Sequence, residues 1–259
     1  MGALGMVTRS LTRHYSKKNS GPFKLHHQYQ SWRTLILEPL SSESVQVRRL
    51  SDADSGIVEV NLHRPETKNA IGNEMLRGLR HTFETLEMDD EANVVMISSS
   101  VPKAFCAGAD LKERKEMTAS EVQFFVNSLR STFALLELLN RAGGTQRLPR
   151  LVGKAVAKEL IFTGRRIEAK EAMSIGLANY AVPAGEARPK ALEIAREINS
   201  KGPIAIRMAK KAINDGIEVD LQAALDLEEE CYEQLLNTND RLEGLAAFAE
   251  KRKPMYRGE

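Results

Sequence analysis

Three small residues in a row, Ala107, Gly108 and Ala109, form the part of the chain best suited to chemistry. Small side chains let a bound group approach backbone N–H donors, and such donors stabilise negative charge developing on a carbonyl oxygen. Asp110 follows directly, and its carboxylate either takes part in that chemistry or caps the next helix, the use that we favour. Glu113 completes a capping-box pattern in which its side chain turns back toward the cap.

The other reactive side chains favour structural roles. Cys106 precedes the small residues, but no histidine follows it to act as a base, so we interpret it as a small buried residue. The five histidines form no ligand pair in the expected folded region, and we therefore predict no metal site. Two cysteines without metal-type spacing are typical of a reducing compartment.

The elements that must position this loop alternate between strand and helix. Residues 45–50 and 57–63 have strand-like patterns, and residues 93–98 form a short apolar run typical of a buried strand. In residues 70–87 and 122–136 apolar side chains recur every three or four positions, which predicts a helix in each range. From about Val156 onward the pattern is almost entirely helical, so we expect an α/β half followed by a helical half.

Five stretches, in order, carry a family resemblance. They are HRP with NA at 63–70, FCAGADLK at 105–112, AGGTQRLPR at 142–150, TGR with AMSIGLA between 163 and 178, and DRLEGLAAF through KR at 240–252. The chain from about residue 45 onward resembles the crotonase (enoyl-CoA hydratase/isomerase) superfamily. The similarity is greatest to its enoyl-CoA and methylglutaconyl-CoA hydratase branch.

The resemblance implies a fold and a division of the chain. We expect an α/β crotonase-like ββα spiral in residues 43–200, preceded by a transit peptide or disordered segment in residues 1–42. Residues 201–259 are expected to form a helical region through which the chain assembles into trimers or hexamers.

The resemblance also implies a carbon–oxygen lyase that adds water to a 2-enoyl-CoA, in fatty acid or branched-chain amino acid catabolism. The Ala109 N–H is then one of two oxyanion donors, and no cofactor beyond the CoA thioester substrate is required. Residues implied to contact the CoA portion are Lys68, Ala70, Ala107, Ala109, Asp110, Leu111 and Lys112. Lys251, Arg252 and Lys253 either contact a CoA phosphate or complement the negative end of the last helix.

The middle of the family pattern is absent. Family members carry a G-G-G-x-E segment, with the second oxyanion donor and one catalytic Glu, and a second Glu about twenty residues later. In this chain Asn140 runs directly into Arg141 and the A-G-G-T turn. On the order of 45 residues are missing, more than one strand–helix–strand unit, including both catalytic carboxylates. An acid elsewhere in the loop region, Asp110, Glu113, Glu116 or Glu121, is a poor substitute.

The N-terminal tail has a targeting composition. Residues 1–37 contain basic and hydroxyl side chains but no acid, and Arg13-His14-Tyr15-Ser16 resembles a presequence cleavage site. We predict a mitochondrial transit peptide and a matrix location. The alternatives are a disordered basic tail or an extension from an unusual start codon.

Two other functions remain open. One is a non-catalytic isoform that binds CoA esters or joins the trimer of an active relative. The other is RNA binding, which we disfavour because helix 70–87 and its flanks carry more acids than bases. No apolar run reaches the roughly 20 residues of a membrane span, and no G-x-G-x-x-G follows a strand. We therefore expect neither a membrane span nor a nucleotide-binding dehydrogenase.

Overall fold

The computed structural model describes residues 5–8, 42–135 and 144–259. These ranges hold six strands. In chain order they are β1 (Gly5–Thr8), β2 (Val45–Arg49), β3 (Ile57–Leu62), β4 (Ala70–Ile71), β5 (Val94–Ser99) and β6 (Gly108–Ala109). The main sheet has the order β1-β5-β3-β2, while β4 and β6 pair separately.

Ten helices lie in the same ranges, and every element from residue 144 onward is a helix. They are α1 (Asn73–Glu87), α2 (Leu111–Lys115), α3 (Ala119–Ala134), α4 (Gly144–Val152), α5 (Lys154–Thr163), α6 (Ala169–Ser174), α7 (Ala187–Asn199), α8 (Pro203–Gly216), α9 (Leu221–Glu233) and α10 (Asn239–Ala249). The prediction of an α/β half followed by a helical half is confirmed.

The centre of the sheet is a crossover unit. β3 and β5 are parallel, with register Ile57↔Val94 through Leu62↔Ser99, and α1 connects them. β2 pairs antiparallel with β3, and β1 pairs antiparallel with β5. The three strands predicted at 45–50, 57–63 and 93–98 correspond to β2, β3 and β5, and every end lies within one residue of its expected position.

Helices cover both faces of the sheet. α1 and α3 contribute buried apolar side chains, such as Leu79, Phe83 and Phe125, to one core with Val60 and Ile97 of the sheet. On the other face Ile57 and Val94 pack against Ala195 of α7. The alternation of side chains along β3 and β5 supplies both cores, which is why these strands are apolar on both sides.

Glu59 lies on the α7 face of β3 and is only 6% exposed. Arg188 of α7 binds both of its carboxylate oxygens at 2.9 Å, and Arg48 donates at 3.0 Å. Burial raises the pKa of Glu59, but the hydrogen bonds from Arg188 and Ser98 outweigh it and leave the pKa lowered. The ionised carboxylate therefore attaches α7 to the sheet, a contact that spans 129 positions of sequence.

Two sequence predictions need correction or restriction. The helix predicted over 70–87 begins at Asn73, because Ala70 and Ile71 form β4 against Gly108 and Ala109. Of the segment predicted as a transit peptide or disordered region, residues 1–42, the structure describes Gly5–Thr8, a strand of the main sheet, and residue 42. The predicted gap at 140–141 and the cleavage motif lie outside the described residues. None of the helices in the described ranges combines the length and apolar composition of a membrane span.

Candidate functional site

A tight turn after β3 begins the candidate site. Pro65–Thr67 form one turn of 3-10 helix, and Lys68 and Asn69 follow with φ angles of 55° and 57°. Asn tolerates this left-handed conformation better than most residues. The Asn69 side chain is fully buried, and its amide oxygen accepts a 2.7 Å hydrogen bond from the Arg64 backbone N–H.

Asn69 also joins this turn to the loop after β5. Its side-chain nitrogen donates to the Ser99 hydroxyl at 2.9 Å and to the Phe105 carbonyl at 3.0 Å. Ser99 ends β5 and Phe105 precedes the small-residue run, so one buried amide fixes the loop at two points. An unpaired amide in this position costs about 1–3 kcal/mol, which favours the docked arrangement.

The two segments then pair through their backbones. Ala107 N–H donates to the Lys68 carbonyl and Asp110 N–H donates to the Ile71 carbonyl, both at 2.9 Å. Between these bonds β4 and β6 run parallel, with Ala70 opposite Gly108 and Ile71 opposite Ala109. The small residues predicted to admit a ligand are therefore part of a fixed backbone pair.

Asp110 caps α2. One carboxylate oxygen accepts from the backbone N–H groups of Lys112 at 3.0 Å and Glu113 at 3.3 Å, and the other accepts from Arg64 at 2.9 Å. Burial raises the pKa of Asp110, but the hydrogen bonds from Glu113, Lys112 and Arg64 outweigh this and leave it lowered. The carboxylate is ionised and both of its oxygens accept hydrogen bonds, two of them from the N–H groups at the start of α2, which confirms the capping interpretation.

Arg64 is a site residue whose role the sequence analysis missed. Its guanidinium donates at 2.9 Å to both the Ala70 carbonyl and Asp110, and lies 3.6 Å from Glu113. It thereby connects β4 to the start of α2. The motif places Arg64 before a proline, but no local pattern indicates an ion pair with a residue 46 positions away.

The predicted capping box in α2 is wrong in its second half. Instead of turning back to the Asp110 backbone, the Glu113 carboxylate accepts from the backbone and side chain of Asn73, at 2.8 and 3.2 Å. Gly72 permits this approach, because a Cβ at that position would lie 1.9 Å from a Glu113 oxygen. Glu113 therefore accepts a hydrogen bond from the first backbone N–H of α1 and not from the start of its own helix, α2.

The remaining acids of this region have similar roles. Glu121 and Thr118 form a complete capping box at the start of α3. Glu116 is the exposed C-terminal cap of α2. Of the four acids that the sequence offers as alternative acid/base residues, three are therefore engaged with helix starts.

The residues predicted to contact CoA all lie along the β4–β6 pair and the first turn of α2. Lys68, Ala107, Leu111 and Lys112 are exposed there, Ala109 is half-buried, and Ala70 and Asp110 are buried. The structure thus brings the predicted set together in one strip with two exposed lysines.

Two further candidates have structural contacts. The Cys106 thiol donates to the Asn69 carbonyl at 3.0 Å and accepts from the Gly108 N–H at 3.3 Å, so it supports the loop backbone although it is only half-buried. Arg252 binds both oxygens of Glu243, at 2.6 and 2.9 Å, and lowers the pKa of that carboxyl to about 2. This contact favours the structural use of the C-terminal basic run.

A family model for enoyl-CoA hydratase/isomerase matches residues 52–137 and 126–259, which together take up most of the chain. The chain belongs to the enoyl-CoA hydratase/isomerase family. This places it in the crotonase superfamily and confirms the resemblance found in the sequence motifs.

Similar proteins named as CoA-ester hydratases match the chain over most of their length. The chain is 52% identical over 273 residues to a probable mitochondrial enoyl-CoA hydratase 2 of Arabidopsis thaliana, covering 88% of this chain and 91% of that one. It is 38% identical to the mitochondrial methylglutaconyl-CoA hydratase of Mus musculus, covering 86% of each. The crystal structure of an enoyl-CoA hydratase from Bacillus anthracis matches with a TM-score of 0.79 and 37% identity, over 84% of this chain and all of that one. The mixed α/β architecture is therefore that of the superfamily.

Asp110 offers a direct test of the site geometry. Asp110→Ala removes the cap and the partner of Arg64, and should lower the free energy of unfolding by about 1–3 kcal/mol in a denaturant titration. Asp110→Asn keeps a capping oxygen and should lose less.

The contribution of Asp110 to the free energy of unfolding should depend on pH. Because the pKa of Asp110 is lowered in the folded chain, its stabilising contribution is present above the ordinary aspartate pKa and is lost as the pH falls from there through the lowered pKa of the folded chain. The unmodified chain and Asp110→Asn should therefore converge in acid. Equal stability of all three chains at neutral pH would contradict the described site.

Proposed function

We propose that this chain is an enoyl-CoA hydratase-type protein that retains the CoA-binding half of its site and lacks the acid/base half. The observation that carries the proposal is the docked pair of β4 and β6, in which Asn69, Arg64 and Asp110 hold the small-residue loop in place. This arrangement supports a CoA-binding role, and the proposed loss of the acid/base half rests on the family motif that the sequence lacks between residues 112 and 142.

Hydration of a 2-enoyl-CoA defines what each half must supply. A base takes a proton from water as the water oxygen bonds to C3, and the π electrons move onto the thioester oxygen. An acid then delivers a proton to C2, so that one water molecule is added in total. The Ala109 N–H is proposed as one donor to the enolate oxygen, and the strip from Lys68 to Lys112 as the contact with the CoA portion.

The proposed loss of an internal segment at 140–141 has support from the comparisons. The alignment with the Arabidopsis relative extends over 273 residues, although this chain has only 259 and 88% of them take part. The relative thus has positions to which no residue of this chain corresponds. The family model also matches in two pieces rather than one, and the second begins at residue 126, shortly before the proposed gap.

Self-association is the second part of the proposal. Many large apolar side chains of the C-terminal helices are exposed, which is unusual for a surface that faces only water. They include Ile213, Ile217, Leu221, Leu225, Tyr232, Leu236, Leu242, Leu245 and Phe248. These side chains favour burial against other copies, in the trimer or hexamer expected for residues 201–259. They also support the alternative of a non-catalytic isoform that binds CoA esters or joins other subunits.

RNA binding has little support from the surface of α1. Arg80 is paired with Glu84 at 2.8 Å, and Glu74 and Glu87 are exposed on the same helix. A surface that follows phosphates requires unpaired positive charge instead.

The activity proposal predicts binding without turnover. The purified chain should bind crotonyl-CoA in calorimetry, yet hydrate it no faster than Ala109→Pro, which removes the surviving donor. Lys112→Ala should weaken binding severalfold, whereas Lys103→Ala, the same change outside the proposed contacts, should not. An active family member assayed in parallel provides the positive control. Rapid hydration by the unmodified chain would show that the acid/base residues have been assigned wrongly.

We also propose a mitochondrial matrix location. The Arabidopsis and mouse relatives are mitochondrial proteins, and residues 1–37 have the acid-free basic composition of a transit peptide.

Residues 1–42 fused to a fluorescent reporter should carry it into mitochondria. The same fusion with Arg9, Arg13, Lys17 and Lys18 changed to Gln should remain in the cytosol, because import requires the positive charge. A reporter that stays cytosolic or enters only plastids with the unmodified segment would contradict the proposal.

A further inference from the structure

The outer edge of β5 is covered from an unexpected part of the chain. β5 is parallel to β3 on its inner side, while on its outer side it pairs antiparallel with Gly5–Thr8, in register Gly5↔Ile97 through Thr8↔Val94. The residues that cover the edge of a central strand thus come from the N-terminal tail.

The order of strands and helices along the chain indicates which strand would pair with the outer edge of β5. β3, α1 and β5 form a parallel crossover unit, and α3 follows β5 on the same face of the sheet. Successive crossovers of one hand add strands in one direction. Since β3 occupies the inner edge of β5, the next strand of such a series belongs at the outer edge, where β1 lies. The strand proposed to be missing after α3 is therefore a candidate for the same place.

Hydrogen-bond directions define the groups that the edge offers. Val94 N–H donates to the Gly56 carbonyl and Ser100 N–H to the Leu62 carbonyl, both at 3.1 Å and both toward β3. Because backbone groups alternate sides along a strand, Val95 and Ile97 direct their N–H and C=O groups toward β1. Their register partners are Val7 and Gly5, so the N–H of Val7 points at β5 and that of Met6 points away.

The side chains of β5 make an open edge unfavourable. Val94, Val95, Met96, Ile97 and Ser98 are each at most 4% exposed. A strand buried on both faces needs partners for its backbone groups as well, because water reaches them poorly.

We propose that the outer edge of β5 is an acceptor site for an extended strand, and that Gly5–Thr8 occupy it as an exchangeable strand in the unprocessed chain. Cleavage near Arg13–Ser16 separates this strand covalently and leaves the edge open to exchange. The cleavage step rests on the proposed transit peptide, whereas the strand exchange does not.

The test uses the full chain with two matched proline substitutions. Val7→Pro removes an N–H that points at β5, whereas Met6→Pro removes one that points away. Residue-resolved amide hydrogen exchange should show Val95 and Ile97 exchanging at least tenfold faster in Val7→Pro. Met96 and Ser98, whose N–H groups point to β3, should keep their protection, and Met6→Pro should resemble the unmodified chain.

A chain lacking residues 1–13 tests exchangeability. A synthetic peptide of residues 1–13, added in trans, should restore the protection of Val95 and Ile97. Unchanged protection in Val7→Pro, or equal effects of the two prolines, would overturn the assigned strand pairing. If the chain lacking residues 1–13 lost protection at the amides of residues 95–98 together, and the peptide did not restore it, β1 would be a fixed part of the fold. That result would overturn the proposed exchange of the strand.

Discussion

The buried amide of Asn69 is the contact on which the rest of the candidate site depends. It joins the turn after β3 to the loop after β5, and this junction sets the pairing of β4 with β6. The Arg64–Asp110 ion pair then fixes the start of α2 relative to the same turn. Because Asn69 lies 30 positions from Ser99 and 36 positions from Phe105, the loop has its shape only when the sheet between them is formed.

The same contacts limit the chemistry of this chain. Asp110, Glu113 and Glu121 each bind backbone N–H groups at the starts of α2, α1 and α3. Because these carboxylates are engaged by backbone N–H groups at helix starts, they are poor candidates to exchange protons with a substrate. These contacts agree with the proposal that the chain keeps a thioester-binding half-site and lacks the acid/base half.

The sequence predicted those strands and helices in which apolar residues repeat at a regular spacing. The strands β2, β3 and β5 and the faces of α1 and α3 follow from apolar repeats, and the N-terminal cap at Asp110 follows from residue type. β4 was missed because two residues have no measurable period, and its pairing is set by a loop 38 positions away. The Glu113 contact was predicted wrongly because the motif fits its own helix, whereas Gly72 leaves the start of α1 open to it. The ion pairs of Arg64 with Asp110 and of Glu59 with Arg188 join residues 46 and 129 positions apart, and no local pattern in the sequence predicts such contacts.

We propose that a CoA-binding half-site persists in a chain that lacks its acid/base segment. Inserting a family-type segment between Asn140 and Arg141 and measuring crotonyl-CoA hydration, melting and sedimentation on both chains tests it most directly. The repaired chain is expected to unfold cooperatively at higher temperature, to assemble as trimers or hexamers and to hydrate crotonyl-CoA, whereas the short chain is not. A repaired chain that folds and assembles but stays inactive would contradict the proposed chemistry.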